Sequence, residues 1–201
     1  MTNERKSAII LALIAAIEGG WVLWELRING LRFFHYLGFT PQVGGSALGW
    51  SLALIVAALY VALAARLPSV RENLFRISGL KLLGLAVAIS AGILEEVVFR
   101  RWIMNYLQDR HGSGVLLQIV ASGLLFGAAH GIWGLMGKSL RAAIGATIAT
   151  GLLGIALAIV FVASGRNLAP CIFAHFLINA FAEPGLVLAA TRGEMQRRSA
   201  V

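Results

Sequence analysis

Six long apolar segments, separated by short polar or glycine-rich stretches, constrain the fold of this chain more than any other feature. They are residues 7–24, 47–67, 82–107, 115–136, 142–164 and 168–190. A helix needs about 20 apolar residues to cross the hydrocarbon core of a bilayer. Within lipid, a helix satisfies all the backbone hydrogen bonds of such a segment. The sequence therefore predicts an all-α, polytopic transmembrane helix bundle of about six spans.

The overall composition excludes a soluble protein. Hydrophobic residues make up 59% of the 201 residues and charged residues 13%, and the mean hydropathy is +0.82. A soluble domain is about 45–50% apolar and about 25% charged, so this chain would expose large apolar patches in water. The length leaves no room for a second sizeable soluble domain. We expect one integral-membrane domain over residues 1–201, with a motif-bearing core at 82–190.

Lysine and arginine are unevenly divided between the two sides of the predicted bundle. The N-terminus, residues 66–81, the loop at 138–141 and the C-terminal tail hold eleven, and the opposite side holds five. Because cytoplasmic loops carry the excess of positive charge, this division predicts that both termini are cytoplasmic. The basic residues form no dense patch, so the net charge of +8 does not predict a nucleic-acid partner. We expect a multi-pass protein of the bacterial inner (cell) membrane, surrounded by the lipid bilayer.

Several ionisable or strongly polar side chains interrupt the predicted spans. An ionisable group at the middle of a bilayer costs about 2.5–3.5 kcal/mol on insertion scales, so each such group is a candidate functional residue that faces the bundle interior. The candidates are Glu95, Glu96, Arg100, His130, His175 and Asn179. Glu18 also lies in a span, but it could pair with an arginine elsewhere or face a cavity. We assign it no catalytic role.

Spacing along the helices predicts two local arrangements. Glu96 and Arg100 are four residues apart and can form an ion pair, whereas Glu95 points about 100° away around the helix. His175 and Asn179 are also four apart, and together they could stabilise a developing oxyanion or orient a water molecule. Each arrangement has a structural alternative. The ion pair could simply join two helices, and the second pair could be a polar contact between helices.

His130 is the most ambiguous of these residues. A single histidine in an apolar helix is more often a packed core residue than a catalyst. Counted from the assumed span ends, Glu95 and His175 lie about 20 Å from the cytoplasmic edge and His130 only about 9 Å from it. A site that includes all three residues therefore requires helix tilt, a displaced span boundary or a break near Gly131.

Three motifs, taken together, carry a resemblance to a known family. They are Glu95-Glu96-x-x-x-Arg100, Phe126-x-x-x-His130 and His175-x-x-x-Asn179. In this order, on separate predicted spans, they resemble the motif set of the CAAX-protease and bacteriocin-processing (Abi) family, also described as type II CAAX prenyl endopeptidase-like. The region before Glu95 matches that family only as membrane helices. The resemblance implies supporting roles for Glu96 and Arg100.

The same resemblance implies an enzyme. It implies an intramembrane endopeptidase that cleaves a membrane-associated peptide or protein substrate. In this interpretation Glu95 activates a water molecule with help from His130, and His175 and Asn179 stabilise the tetrahedral intermediate. A base that takes a proton from water and donors placed at the oxyanion are the groups that such a hydrolysis needs.

A metal-dependent mechanism is an alternative, because members of this family are often labelled metalloproteases. Catalytic zinc favours three protein ligands plus water, and Glu95, His130 and His175 could supply them. The sequence contains no HExxH motif, and Asn179 is an unusual partner for zinc. We therefore expect a glutamate-type mechanism that requires no cofactor.

Two further functions stay open. One is a non-enzymatic membrane immunity or partner-binding protein on the same scaffold, which would tolerate the substitution Glu95→Gln. The other is a small proton-coupled transporter in which Glu95, His130 and His175 form a proton relay. Such a relay would not need the pairing of His175 with Asn179. The sequence does not identify a substrate.

Overall fold

The structure, a computed structural model, describes residues 1–40, 44–132 and 140–196, and within these ranges it contains helices and no strands. The helices are α1 (Asn3–Asn29), α2 (Leu31–Leu37), α3 (Ala47–Ala64), α4 (Pro68–Asn73), α5 (Gly79–Glu96), α6 (Asn105–His111), α7 (Val115–His130), α8 (Leu140–Ala163), α9 (Ala169–Ala182) and α10 (Gly185–Arg192). A π-helical segment, Val97–Met104, joins α5 to α6, and Glu194–Gln196 form a 3-10 turn. The all-α prediction is confirmed.

Four helical runs are long and apolar enough to cross a membrane. They are α1, α3, α8 and the continuous run Gly79–His111. The pair α9 and α10, bent by 53°, also passes the length and composition test, as a broken span or a re-entrant loop. The predicted span at 115–136 corresponds to α7, which has 16 residues, and its residues 133–136 lie outside the described ranges. The described part of the chain thus has four to five candidate spans, which agrees roughly with the six predicted.

Short polar residues begin the long helices and glycines end several of them. The side chains of Thr2, Ser46 and Ser78 each accept a hydrogen bond from a backbone N–H in the first turn of α1, α3 and α5. Such caps satisfy N–H groups that have no partner within the helix. Gly38 ends α2 at a φ of 85°, a backbone conformation that favours glycine.

The two ends of the described chain meet on one side of the bundle. Ser7 and Thr191 share a hydrogen bond at 3.2 Å, and Ser69 donates one to Glu194 at 2.6 Å. This end is called the N-terminal end below. The α1–α2 connection, α6 and the α8–α9 connection lie at the opposite end. The two ends of the described chain therefore lie on one side of the bundle.

The helix surfaces are apolar outside and partly polar inside. Large apolar side chains are exposed along α1, α3, α7 and α8, among them Leu13, Ile17, Leu59, Leu124, Ile148 and Leu152. Glu96, Arg100, Gln118, Ser122 and His175 are buried. A bundle with apolar side chains outside and ionisable ones inside is suited to lipid, so the chain is an integral membrane protein.

Glycines bring α7 and α8 into backbone contact. A Cβ atom on Gly127 would lie 2.4 Å from the Thr147 carbonyl oxygen and 2.8 Å from the Gly151 Cα. Close approach through small residues is a common way for helices to pack in membranes. This contact holds the last turn of α7, which carries His130, against α8.

Candidate active site

A fully buried ion pair joins the end of α5 to the π-helical segment. Glu96 Oε2 lies 3.1 Å from Arg100 Nε, and both side chains are 0% exposed. Arg100 Nη2 also donates a hydrogen bond to the Gly154 carbonyl oxygen at 3.2 Å, and the guanidinium lies 4.8 Å from the centre of the Phe126 ring. The pairing that the spacing predicts is present. The positive charge of Arg100 compensates the negative charge of Glu96 where water is excluded.

The second oxygen of Glu96 contacts His175 on α9. Glu96 Oε1 lies 2.7 Å from His175 Nδ1, and because a carboxylate only accepts, Nδ1 carries the proton. The other ring nitrogen, Nε2, faces Glu95, with its Oε2 at 3.7 Å. The close approach of α9 to α5 depends on Gly92, whose Cβ position lies 3.4 Å from the Ile172 carbonyl oxygen.

His130 reaches the same carboxylate oxygen from α7. Its Nδ1 lies 2.9 Å from the Phe126 carbonyl oxygen, so Nδ1 again carries the proton. Its Nε2 lies 3.7 Å from Glu95 Oε2. The Phe126 ring lies 4.4 Å from the His130 ring and 5.8 Å from the His175 ring, centre to centre. Phe126 thus packs against both imidazoles and limits their rotation.

The difference in depth expected from the sequence does not occur. The predicted fourth span ends at residue 136, which lies outside the described ranges, whereas α7 ends at His130. His130 therefore belongs to the last turn of α7 rather than to a mid-helix position. The side chains of His130, Glu95 and His175 therefore meet at one level of the bundle.

Glu95 is the point at which three helices converge. Its Oε2 atom is buried and has no hydrogen-bond partner in the described part of the chain. The two Nε2 atoms at 3.7 Å are too distant for direct hydrogen bonds, but polar atoms at this separation can be bridged by one water molecule. When both imidazoles are neutral, all three atoms are hydrogen-bond acceptors. A molecule that can donate two hydrogen bonds, such as water, is complementary to them.

Asn179 is the one predicted site residue that the structure does not join to the cluster. It lies one helical turn beyond His175 on α9 and is partly exposed. No hydrogen bond links its side chain to another described residue, so its amide group is available to a substrate. The other five residues (Glu95, Glu96, Arg100, His130 and His175) are connected by the contacts given above.

The spacing of the donors bears on the zinc alternative. Ligands about 2.0–2.1 Å from a tetrahedral zinc ion lie about 3.3 Å apart, and Glu95 Oε2 is 3.7 Å from each imidazole nitrogen. In residues 1–40, 44–132 and 140–196, no group of three or more His, Cys, Asp or Glu side chains is arranged to hold a metal ion. As placed, the three donors do not fit tetrahedral zinc.

Glu18 on α1 is closer to this site than the sequence indicates. Its Oε2 accepts a hydrogen bond from Ser90 on α5 at 3.2 Å, and its carboxylate is near enough to interact electrostatically with Glu95 and His175. The available signal was an acidic residue inside an apolar span. That signal does not reveal which helix faces α1, so the sequence alone does not place Glu18 in the site.

Together, the fold and the cluster define an integral membrane protein with a carboxylate–imidazole site enclosed by its helices. A family model for the Rce1-like type II CAAX prenyl endopeptidases matches residues 77–181, just over half of the chain. The chain belongs to this family, and at the family level it is a CAAX-type intramembrane protease. The match includes all six predicted site residues and excludes Glu18. No curated protein and no solved structure matches the chain.

Proposed function

We propose that this protease uses Glu95 as a general base and needs no metal ion. The observation that carries the proposal is the convergence of Glu95 Oε2 with Nε2 of His130 and of His175, each 3.7 Å away. A water molecule bridging these atoms would be held beside a carboxylate in a site where bulk water is scarce. Buried polar groups interact strongly under these conditions because the local dielectric constant is low.

Hydrolysis would begin with removal of a proton from this water. Glu95 accepts the proton, the water oxygen forms a bond to the carbonyl carbon of the substrate, and the π electrons of the carbonyl move to its oxygen. His130 orients the water through Nε2, because its Nδ1 proton is committed to the Phe126 carbonyl. General-base catalysis of this kind contributes about 10²–10⁴-fold to the rate.

The oxyanion of the tetrahedral intermediate requires hydrogen-bond donors. Asn179 supplies an amide N–H. His175 supplies Nε2–H as an imidazolium that is already doubly protonated before the water attacks, so it takes no proton from the reaction. Glu96 provides the counter-charge for that imidazolium through its contact with Nδ1. The intermediate then collapses: the C–N bond breaks, its electrons pass to nitrogen, and Glu95 returns the proton to the departing amine. Donors held in place before the reaction stabilise such charge effectively.

We infer that the substrate is a membrane-associated peptide or protein. The support is the position of the cluster within the helical bundle, which a substrate must reach from the bilayer or from its surface. The division of eleven basic residues against five supports cytoplasmic termini, and a bacterial inner membrane is the proposed location.

The test compares wild type, Glu95→Gln and the control Glu4→Gln in lipid nanodiscs. Each protein is incubated with a library of membrane-tethered peptides, with and without a strong chelator. We expect cleavage by wild type and Glu4→Gln, a loss of at least about 100-fold in Glu95→Gln, and no effect of the chelator.

Other outcomes would support the alternatives. Activity lost to the chelator and restored by zinc would assign Glu95, His130 and His175 to a metal site. Equal activity of Glu95→Gln and wild type would contradict the general-base role. A folded wild-type protein that cleaves no peptide would favour the immunity or partner-binding scaffold, and proton-dependent solute uptake into proteoliposomes would favour the transporter.

A further inference from the structure

A strongly basic cavity lies at the end of the bundle opposite the N-terminal end. Its volume is about 600 Å³, and it is lined by three arginines and a histidine: Arg32 and His35 from α2, Arg101 from the π-helical segment and Arg166 from the α8–α9 connection. Tyr36 also lines it. We call this the arginine cavity. None of its described lining residues is acidic.

Neutral groups hold the arginines in place. Arg166 donates through Nε and Nη2 to Asn105 Oδ1 at 3.1 and 2.6 Å, and through Nη1 to Gln118 Oε1 at 3.0 Å. Arg101 donates to the Tyr36 carbonyl oxygen and lies 4.2 Å from the centre of the Tyr36 ring. These contacts orient the guanidinium groups without neutralising their charge.

Opposite charge is scarce around the cavity. No ion pair within 4.0 Å involves Arg32, Arg101 or Arg166 among the residues that the structure describes. Burial lowers the pKa of Arg166 from its ordinary value, and the charge of Asp109 acts in the opposite direction. Arg166 is thus a partly desolvated cation whose nearest acid is too distant to pair with it.

The backbone at the cavity is held in an unusual conformation. Arg166 has a φ of 63°, the one positive value among the described residues other than glycine. Residues with side chains rarely adopt this conformation, and strained backbone of this kind persists where surrounding contacts enforce it, often at functional sites. Here the Arg166 backbone N–H donates to the Phe161 carbonyl oxygen at 2.9 Å where α8 ends, and the contacts with Asn105 and Gln118 fix the guanidinium at the cavity wall.

Aromatic side chains indicate the depth of the cavity in the membrane. Trp102 Nε1 donates to Tyr36 Oη at 3.1 Å, and Trp50 Nε1 donates to the Gly44 carbonyl oxygen at 2.6 Å. Tryptophan and tyrosine concentrate at the level of the lipid headgroups. On α2, Leu31 is 83% exposed and Phe34 is 44% exposed, as expected for a short helix that lies in the interface.

We propose that the arginine cavity binds the phosphate group of an anionic phospholipid, with the acyl chains against the exposed apolar side chains of α2. Guanidinium groups bind phosphate with paired, charge-assisted hydrogen bonds. The charge count places five basic residues on the side opposite the predicted cytoplasmic side, and three of these five line the cavity. Positive charge is disfavoured on a side that is not cytoplasmic. A binding role accounts for their presence. The proposal does not depend on the proposed catalytic mechanism.

The test uses native mass spectrometry of the full-length protein released from detergent. Binding of phosphatidylglycerol is compared with binding of phosphatidylcholine of equal chain length for wild type, Arg32→Gln, Arg32→Lys and Arg110→Gln. Arg32 makes no hydrogen bond or ion pair to another described residue, so its substitution leaves folding contacts intact. Arg110 is exposed at the same end of the bundle and does not line the cavity.

We expect wild type to prefer phosphatidylglycerol and Arg32→Gln to bind it about fivefold more weakly, the effect of one basic residue near a membrane surface. Arg110→Gln should bind as wild type does. Arg32→Lys keeps the charge but not the paired donors of a guanidinium, so it should bind more strongly than Arg32→Gln and no more strongly than wild type. Equal weakening in Arg32→Gln and Arg110→Gln, or no preference between the two lipids, would overturn the proposal. Displacement of the lipid by millimolar inorganic phosphate would instead identify a site for a free anion.

Discussion

Glu96 Oε1 accepts a hydrogen bond from His175 Nδ1 at 2.7 Å, and this bond turns His175 Nε2 toward the neighbouring acid, Glu95. Two adjacent carboxylates on one helix therefore have different surroundings. Glu96 has Arg100 Nε at 3.1 Å from one oxygen and His175 Nδ1 at 2.7 Å from the other, whereas Glu95 Oε2 lies 3.7 Å from both imidazole nitrogens that face it. This difference in surroundings is why we propose Glu95, and not Glu96, as the general base.

Substitution of Glu96 should affect stability and activity together. In Glu96→Gln, Arg100 keeps its charge in a buried position without its partner. Breaking a buried ion pair in this way costs about 3–5 kcal/mol. We expect a marked fall in the thermal midpoint in detergent and a loss of peptide cleavage, because glutamine has one acceptor oxygen where Arg100 and His175 each face their own.

The matched control is Glu72→Gln, which breaks an exposed pair with Arg192 at 3.7 Å and should change stability by less than about 1 kcal/mol. The double variant Glu96→Gln with Arg100→Met should recover part of the stability and none of the activity. A Glu96→Gln protein as stable as the control would show that the buried pair is not important for the fold.

His130 should contribute to catalysis and little to stability. In His130→Gln the Nε2 lone pair that faces Glu95 is lost, while the packing volume changes little. We expect cleavage to fall by about 100-fold and the thermal midpoint to stay near that of wild type. His111→Gln, at the exposed end of α6, is the control. A purely structural histidine would give the reverse result, with a lower midpoint and unchanged cleavage per folded molecule.

Asn179 should act on the intermediate rather than on substrate binding. Removal of one donor from an oxyanion site reduces kcat by about 10²–10³-fold, so Asn179→Ala should lower kcat with KM nearly unchanged. Since its side chain has no hydrogen bond to another described residue, the thermal midpoint should not move. Steady-state kinetics would decide, and a raised KM with normal kcat would assign Asn179 to substrate binding instead.

The contact of α7 with α8 should be intolerant of a single methyl group at Gly127. In Gly127→Ala the new Cβ would meet the backbone at the Thr147 carbonyl and at Gly151, so the helices must separate and His130 moves away from Glu95. We expect a loss of about 1–3 kcal/mol in stability and reduced cleavage. Gly145→Ala on α8 is the control, because nothing lies within 4 Å of its Cβ position. Equal behaviour of the two variants would exclude tight packing at Gly127.

The sequence was most informative about relations within one helix. The pairing of Glu96 with Arg100 follows from their spacing, since positions four apart share a helix face, and the apolar segments predicted the helices. Contacts between side chains on different helices were harder to predict from the sequence. The meeting of His130 with Glu95 depends on where α7 ends, and the proximity of Glu18 depends on which helix packs against α1. The end of a helix and the choice of its neighbour depend on how the helices pack, and the spacing of residues along the chain does not specify either.

The π-helical segment Val97–Met104 contains two adjacent arginines whose side chains point to different sites. Arg100 is directed to the buried pair with Glu96, and Arg101 to Tyr36 in the arginine cavity. A π turn holds about one residue more than an α turn. Deletion of a single residue here would rotate everything after it by about 100° and leave Glu95 and Glu96 in place. The additional residue in this segment thus sets the direction in which the side chains of the second half of the helix point. A change in the length of the segment would reorient the cavity-facing half and leave the half that carries Glu95 and Glu96 as it is.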